Sequence, residues 1–361
     1  MENAESLPKQ EKQKFFSLTL AELTQAIKSL GKEGFRAQQL YRWIYSLNMQ
    51  DFANMTNFSK DFRREVATLF DFSLPEVIKV HTSVDGTIKM LFNVGDGKSV
   101  EAVLIPSTDR LTICLSSEVG CNMACKFCYT AKQKLQRRLE TWEIVGQFVQ
   151  ASRYLAQHSP EQRLTNIVFM GMGEPLDNTE AVFKACQILH SSWGMNLSRK
   201  RITISTSGIV PKIPLVTEAG VRLAVSLNAS NDLIRSQVMP INNRWPIAEL
   251  LQACREHCQA SGDKVTLEYV LLKGVTDSVA DARELYHLTK DVPCKINIIP
   301  FNEHPNSGFE RPDEVAIVRF HQELMRLGAH VLRRKTMGRD IYAACGQLTT
   351  AAKKSPPQLS I

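Results

Sequence analysis

From Leu111 to Pro300 six short apolar runs, LTICL, NIVFM, ITIST, LAVSL, VTLEYVLL and INIIP, alternate with stretches of helical periodicity. Strands separated by helices form parallel sheets with right-handed crossovers, because neighbouring parallel strands need a long connection back across the sheet. Six such units fall short of the eight that close a full barrel. The expectation is therefore an α/β chain with an open, partial (β/α)6 barrel over residues 107–348. Chemistry in such barrels collects in the loops after the strands. Candidate residues stand there: three cysteines follow LTICL, Gly173 and Glu174 follow NIVFM, Ser205 ends ITIS, Asn228 closes VSLN and Asn302 follows INIIP.

The region before the barrel has a different texture. Thr19 and Glu22 have capping-box spacing, which predicts a helix ending at Gly31. A second helix is expected from Arg36 to Leu47, with Ala37, Leu40, Ile44 and Leu47 on one face, and a third carries Phe62, Val66 and Leu69. The turn dipeptides Asp85-Gly86 and Asp96-Gly97 flank IKMLFNV and predict an antiparallel meander from Val77 to Ile105. Residues 17–106 thus form a helical and β module, for substrate docking or for scaffold packing. Residues 1–16 and 349–361 are expected to be disordered tails.

The run GCNMACKFCYTA places Cys121, Cys125 and Cys128 at C-x3-C-x2-C spacing. Three thiolates hold three irons of a four-iron, four-sulfur cluster, and no nearby cysteine closes the cage as a fourth ligand. An open iron invites a chelator, and the amino and carboxylate groups of S-adenosylmethionine suit it. Structural zinc would need four closed ligands, commonly two C-x2-C pairs, and ferredoxin carriers use tighter runs with a fourth ligand. A disulfide scaffold suits a short secreted chain rather than 361 residues with nine cysteines.

Cys254 and Cys258 share an apolar stripe with Leu250 and Leu251, so CREHC is expected to be packing, as are Cys186 and Cys294. Cys114 leads into the cysteine loop, and Cys345 follows Arg333, Arg334 and Lys335. Position alone leaves both open between an inert buried thiol and a reactive one. Ser205, Ser226, Asn228 and Asn302 could bind ribose or carboxylate, or cap a turn.

The net charge of +7 permits a polyanionic partner. Short basic clusters occur at Arg63–Arg64, Lys132–Arg138, Arg199–Arg201 and Arg333–Lys335, as phosphate contacts or as solvated faces. No stretch approaches the ~20 apolar residues of a membrane span. The expected setting is cytoplasmic, with no membrane partner and a monomeric chain.

The runs GFRAQQLYRWIY, VEAVLIP, TICLSSEVGCNMACKFC, FMGMGEPLDN, RITISTSGIVP, LEYVLLKGV, CKINIIPFN and RKTMGRDIYAACGQL carry a resemblance over about Leu20 to Leu348. The chain resembles the RlmN family of dual-specificity radical S-adenosylmethionine RNA methyltransferases, which methylate carbon 2 of an adenine in 23S rRNA and in tRNA. The resemblance implies a [4Fe-4S] cluster on Cys121, Cys125 and Cys128. It implies that Gly173, Glu174, Ser205, the Ser226, Leu227 and Asn228 segment, and Asn302 hold S-adenosylmethionine. It makes Cys345 a methyl carrier, Cys114 its partner and Glu101 an acid/base group near the target base.

The implied route uses two S-adenosylmethionine molecules per turnover, one methylating Cys345 and one cleaved by an electron from a reductant such as flavodoxin. Cys114 then takes a proton from the adduct and forms a transient disulfide with Cys345 as the methylated base leaves. This chain has Asn228 where the family usually has histidine, Tyr129 for a small residue and Lys134 for glycine. The rivals are a Cfr-like enzyme methylating carbon 8, against which GEPL, STSG and KTMG count, and a non-catalytic iron–sulfur RNA-binding protein, which would need neither Cys114 nor Cys345.

Overall fold

The Thr19 hydroxyl accepts the Glu22 N–H at 3.3 Å while the Glu22 carboxylate accepts the Thr19 N–H at 2.8 Å. This reciprocal cap starts α1 (Leu20–Ser29) in the computed structural model, which describes residues 12–49 and 51–349. The second expected helix is α2 (Phe35–Tyr41), continued by a π turn over Arg42–Ser46. The wider turn shifts the face: Ala37, Leu40 and Ile44 are buried, but Leu47 is half exposed. Helix α3 (Lys60–Leu69) buries Phe62 and Val66 as its spacing requires.

The end of the N-terminal tail needs correction. Gln13–Lys14 (β1) pairs in parallel with Phe70–Asp71 (β2), and Phe15 and Phe16 are wholly buried. The Phe15 ring packs against Phe16, Tyr45, Phe70 and Phe72. Two adjacent phenylalanines carry too much apolar area to stay in water when such a cluster is within reach. At the other end Thr349 is held, its N–H donating to Glu101 at 2.9 Å. The remainder of both expected tails lies outside the described residues.

The meander forms as β3 (Glu76–Thr82), β4 (Ile88–Asn93) and β5 (Ser99–Pro106), all antiparallel. Strand β5 also pairs antiparallel with β6 (Leu111–Cys114), so one sheet runs from the meander into the barrel. A two-residue ladder, β7 (Glu118–Val119) with β8 (Arg137–Arg138), stands apart. Then follow α4 (Thr141–His158), β9 (Leu164–Phe169), α5 (Thr179–His190), β10 (Ile202–Thr206), α6 (Ile213–Ala219) and β11 (Arg222–Ser226). The chain continues with α7 (Asp232–Val238), α8 (Ile247–Ser261), β12 (Val265–Leu271), α9 (Val279–Thr289), β13 (Cys294–Pro300), α10 (Glu314–Arg326) and β14 (Val331–Arg333).

The sheet order is β14-β13-β12-β11-β10-β9-β6-β5-β4-β3, and every pair from β6 to β14 is parallel. All six expected barrel strands are present. Strand β14 is a seventh, too short and too basic for periodicity to signal. Helix α8 buries Leu250, Leu251, Cys254 and Cys258 against the sheet, which makes the CREHC segment packing. Among the described residues no helix is long and apolar enough to cross a membrane.

Candidate active site

Past Cys114 the chain crosses the end of β9. Gly171 N–H donates to Leu115 O at 3.1 Å and Ser117 N–H to Met172 O at 2.8 Å. A Cβ on Gly171 would stand 2.6 Å from Leu115 O, and one on Gly173, whose φ is +100°, 2.5 Å from Glu118 Cβ. The glycines of MGMGEPL therefore let two loops of the protein pass each other, and Gly173 also reaches the site wall.

The β7–β8 ladder pinches the ends of the cysteine loop. Inside it Cys121 is buried and Cys125 and Cys128 are half-buried. Lys126 N–H donates to Val238 O at 2.9 Å, and Tyr129 N–H to Gly346 O at 2.7 Å, which ties this loop to the Cys345 segment. One cavity is lined by Cys121, Cys125, Cys128 and Cys345, together with Gly173, Glu174, Ser205, Ser226, Asn228 and Asn302. Leu227 is off the wall: its side chain is wholly buried, and its carbonyl accepts Arg235 Nε at 2.9 Å.

The polar groups are anchored from behind. Glu174 accepts Ser207 N–H at 2.7 Å and Leu176 N–H at 3.0 Å, and burial raises its carboxyl pKa against these donors. Asn228 Oδ1 accepts Val270 N–H at 2.9 Å, and its φ of 59° is one that asparagine tolerates better than most residues. Asn302 Nδ2 donates to Cys345 O at 3.2 Å.

A second cavity adjoins the first and holds both Cys114 and Cys345, with Asn302, Met170 and Arg334. Burial pushes the Cys114 thiol up to about 12, the neighbouring Cys345 adds to this, and Arg334 opposes it. Arg334 Nη1 stands 3.3 Å from Glu268 Oε2, and Asn297 Nδ2 donates to Glu268 Oε1 at 3.0 Å. Sequence reasoning missed Glu268 and Arg334 in these roles. A carboxylate inside the apolar strand VTLEYVLL was the available signal.

It also missed Glu118 and Arg235. Glu118 is buried, accepts Glu174 N–H at 2.9 Å through Oε2 and has no hydrogen-bond partner for Oε1. Arg235, wholly buried, donates to the carbonyls of Leu227, Ser207 and Ser226 and so fixes the ends of β10 and β11. Glu101 stands off both cavities. Its carboxylate pairs with Lys89 at 3.0 Å and accepts Thr349 N–H, and burial raises its pKa against Lys89.

The donor set fits an iron–sulfur cluster. The three free thiols of the cysteine loop share one cavity with Cys345, and each of Cys125 and Cys128 is close enough to Cys121 to influence its charge. Among the described residues no three ligating side chains converge tightly enough for a single ion. A polynuclear cluster spaces its thiolates more widely than a tetrahedral ion does.

Residues 116–286 match the Radical SAM superfamily, and residues 14–71 match the ribosomal RNA large subunit methyltransferase N-terminal domain. The chain is 63% identical over 347 residues, covering 96% of it and 86% of the relative, to a dual-specificity RNA methyltransferase RlmN of Bdellovibrio bacteriovorus. The chain belongs to the RlmN family. The RlmN of Geotalea uraniireducens is 46% identical, over 92% of this chain and 95% of that protein. A radical SAM methyltransferase from Sphaerobacter thermophilus has the same fold, with a TM-score of 0.89 and 42% identity over 94% of this chain and 100% of that one. RlmN proteins are radical SAM enzymes that use a [4Fe-4S] cluster and S-adenosylmethionine, and the residues of this cavity suit both.

Proposed function

We propose that this protein methylates carbon 2 of an unstacked adenine in 23S rRNA and in tRNA, through a methyl group carried on Cys345. The observation that carries the reading is the pair Cys114 and Cys345 on one cavity wall, adjoining the wall of Cys121, Cys125 and Cys128. Carbon 2 of adenine is electron-poor, so direct displacement by it on a sulfonium methyl is closed. A thiol, by contrast, is an ordinary nucleophile for that methyl.

Cys121, Cys125 and Cys128 would hold the cluster, and Gly173, Glu174, Ser205, Ser226, Asn228 and Asn302 the S-adenosylmethionine. When bound, the cluster supplies the electron that cleaves the sulfonium. Cys345 takes the methyl as a thioether and presents it toward the base. Cys114 lines the cavity of Cys345 beside Arg334. As a thiolate it would take the proton of carbon 2, and its sulfur would then bond the Cys345 sulfur as the bond from that sulfur to the transferred carbon breaks, the electron pair and the proton going to the methylated base. Glu101 would act as acid or base only once the Thr349 segment releases its carboxylate. We assign the reductant to the flavodoxin class and read the enzyme as a cytoplasmic monomer.

Nucleoside mass spectrometry of RNA from a null strain complemented with this gene tests the reading: 2-methyladenosine is expected, and 8-methyladenosine would transfer the chain to the Cfr-like activity. Cys114→Ala should leave protein covalently trapped on RNA through residue 345. Full methylation by that variant without any adduct would remove the two-thiol route.

A further inference from the structure

Below the cluster, the barrel interior is polar. Thr112, Asn166, Thr203, Arg222, Thr266 and Asn297, one from each of the strands β6, β9, β10, β11, β12 and β13, line a lower cavity of about 630 Å³. A filled barrel packs branched apolar side chains at this level. Here hydroxyls, amides and a guanidinium face the space, whose size lies in the ~300–1,000 Å³ range of ligand sites. The cavity continues upward. It shares Met170, Glu268 and Arg334 with the cluster cavity, and Ile105, Met170, Arg334, Lys335 and Met337 with the cavity of Cys114 and Cys345.

The lower cavity carries unbalanced charge. Arg334 is matched by Glu268, and the Asp85 carboxylate is taken by the N–H groups of Thr87 and Gly338. Arg110, Arg222 and Lys335 also line the space, and none has a carboxylate partner among the described residues. Lys295 lies near; burial first, then Arg222 and Arg110, lower its pKa, so these cations are close enough to repel one another. Other cations of the basic clusters visible in the sequence are already engaged. Arg64 pairs with Asp61, Arg137 with Glu143, Arg138 with Asp177, Lys200 with Asp263 and Arg333 with Glu314. Arg63 donates to the carbonyls of Phe52, Ala53 and Phe58.

We propose that the RNA strand enters by this lower cavity: Arg110, Arg222 and Lys335 hold the phosphates beside the target nucleotide while its base passes up to Cys114 and Cys345. The proposal rests on the RNA methyltransferase reading above. Phosphodiesters are the counter-charge that relieves the crowded cations. The threonine and asparagine lining offers hydrogen bonds to the ribose and base edges of a single strand whose target base is unstacked. On the opposite side the Cys345 segment is tied to the cysteine loop through Tyr129 and through the Thr130 hydroxyl, 2.8 Å from Leu348 O.

The test measures fluorescence anisotropy of a labelled anticodon stem-loop RNA binding the iron-loaded full chain, from 50 to 300 mM salt. For Arg110→Gln/Arg222→Gln, weaker binding is expected, with a slope of log affinity against log salt shallower by about 1.4, ~0.7 for each single-strand phosphate that is no longer neutralised. Iron content and thermal unfolding should match the wild type. If that variant does not fold, Lys335→Gln, a change at an exposed side chain, carries the test, with a slope shallower by about 0.7 expected. A wild-type slope in a folded variant overturns the proposal, and an unchanged RNA slope with a raised KM for flavodoxin would give the rim to an acidic protein instead. Methylation of the same RNA by wild-type enzyme is scored separately: a wild type that binds but does not methylate breaks the functional reading, and one that methylates beside a folded variant of unchanged slope breaks only the entry route.

Discussion

Arg235 keeps a charge with no exposed surface because four acceptors surround it: the carbonyls of Leu227, Ser207 and Ser226, and Asn242 Oδ1. Burial lowers its pKa only to about 10, so it stays a cation at neutral pH. Arg235→Met should destabilise the protein by about 3 kcal/mol, since three buried carbonyls lose their donor; an unchanged urea midpoint would show that the carbonyls find other partners. Glu118 is the reverse case. Burial raises its folded pKa to about 8, from the 4.5 of an ordinary carboxyl. Between those values the folded protein holds a proton that the unfolded chain has released, so the stability from this site is complete below pH 4.5 and lost as pH rises through 8. Glu118→Gln should flatten the fall of unfolding free energy between about pH 5 and pH 8. The same slope in both proteins would place the titration elsewhere.

Elements in this chain are set by local chemistry at their ends and by packing along their length. Helix α1 begins at its capping box, and Thr19→Ala should cost about 1 kcal/mol because the Glu22 N–H loses its acceptor. The short strand β1 is anchored by Phe15 and Phe16 in the aromatic cluster and by the Lys14–Asp71 ion pair across its ladder. Phe15→Ala should cost about 3–5 kcal/mol and leave α1 and α2 open to proteolysis; a variant as protease-resistant as the wild type would mean that the cluster is incidental. The π turn after α2 shows the limit of periodicity. One widened turn moved Leu47 into solvent, although Ala37, Leu40 and Ile44 lie where a regular helix would put them.

At the scale of the molecule, the cysteines divide by place: Cys121, Cys125 and Cys128, the proposed cluster ligands, line one cavity with Cys345, Cys114 lines the adjoining one, and Cys186, Cys254 and Cys258 are buried in the core. Replacing Cys121, Cys125 and Cys128 by alanine should abolish both bound iron and methylation, whereas Cys254→Ala should keep its iron; colorimetric iron and sulfide counts on anaerobic preparations decide. The six parallel strands, the loop cysteines and the capped helix were all legible in the sequence, because each is written within a few residues of itself as a hydrophobic period or a ligand spacing. Strand β14, the Glu268–Arg334 pair, the displacement of Glu101 and Leu227 from the cavity wall, and the meeting of Cys114 with Cys345 were not. They join segments far apart in the chain. Sheet register and barrel curvature decide which side chains share a face, and no local period encodes either. The charges show it most directly: Arg64, Arg137, Arg138, Lys200 and Arg333, from the runs that stand out in the sequence, pair with acids, whereas Arg110, Arg222 and Lys335, of which only Lys335 belongs to such a run, are brought to one cavity by the fold.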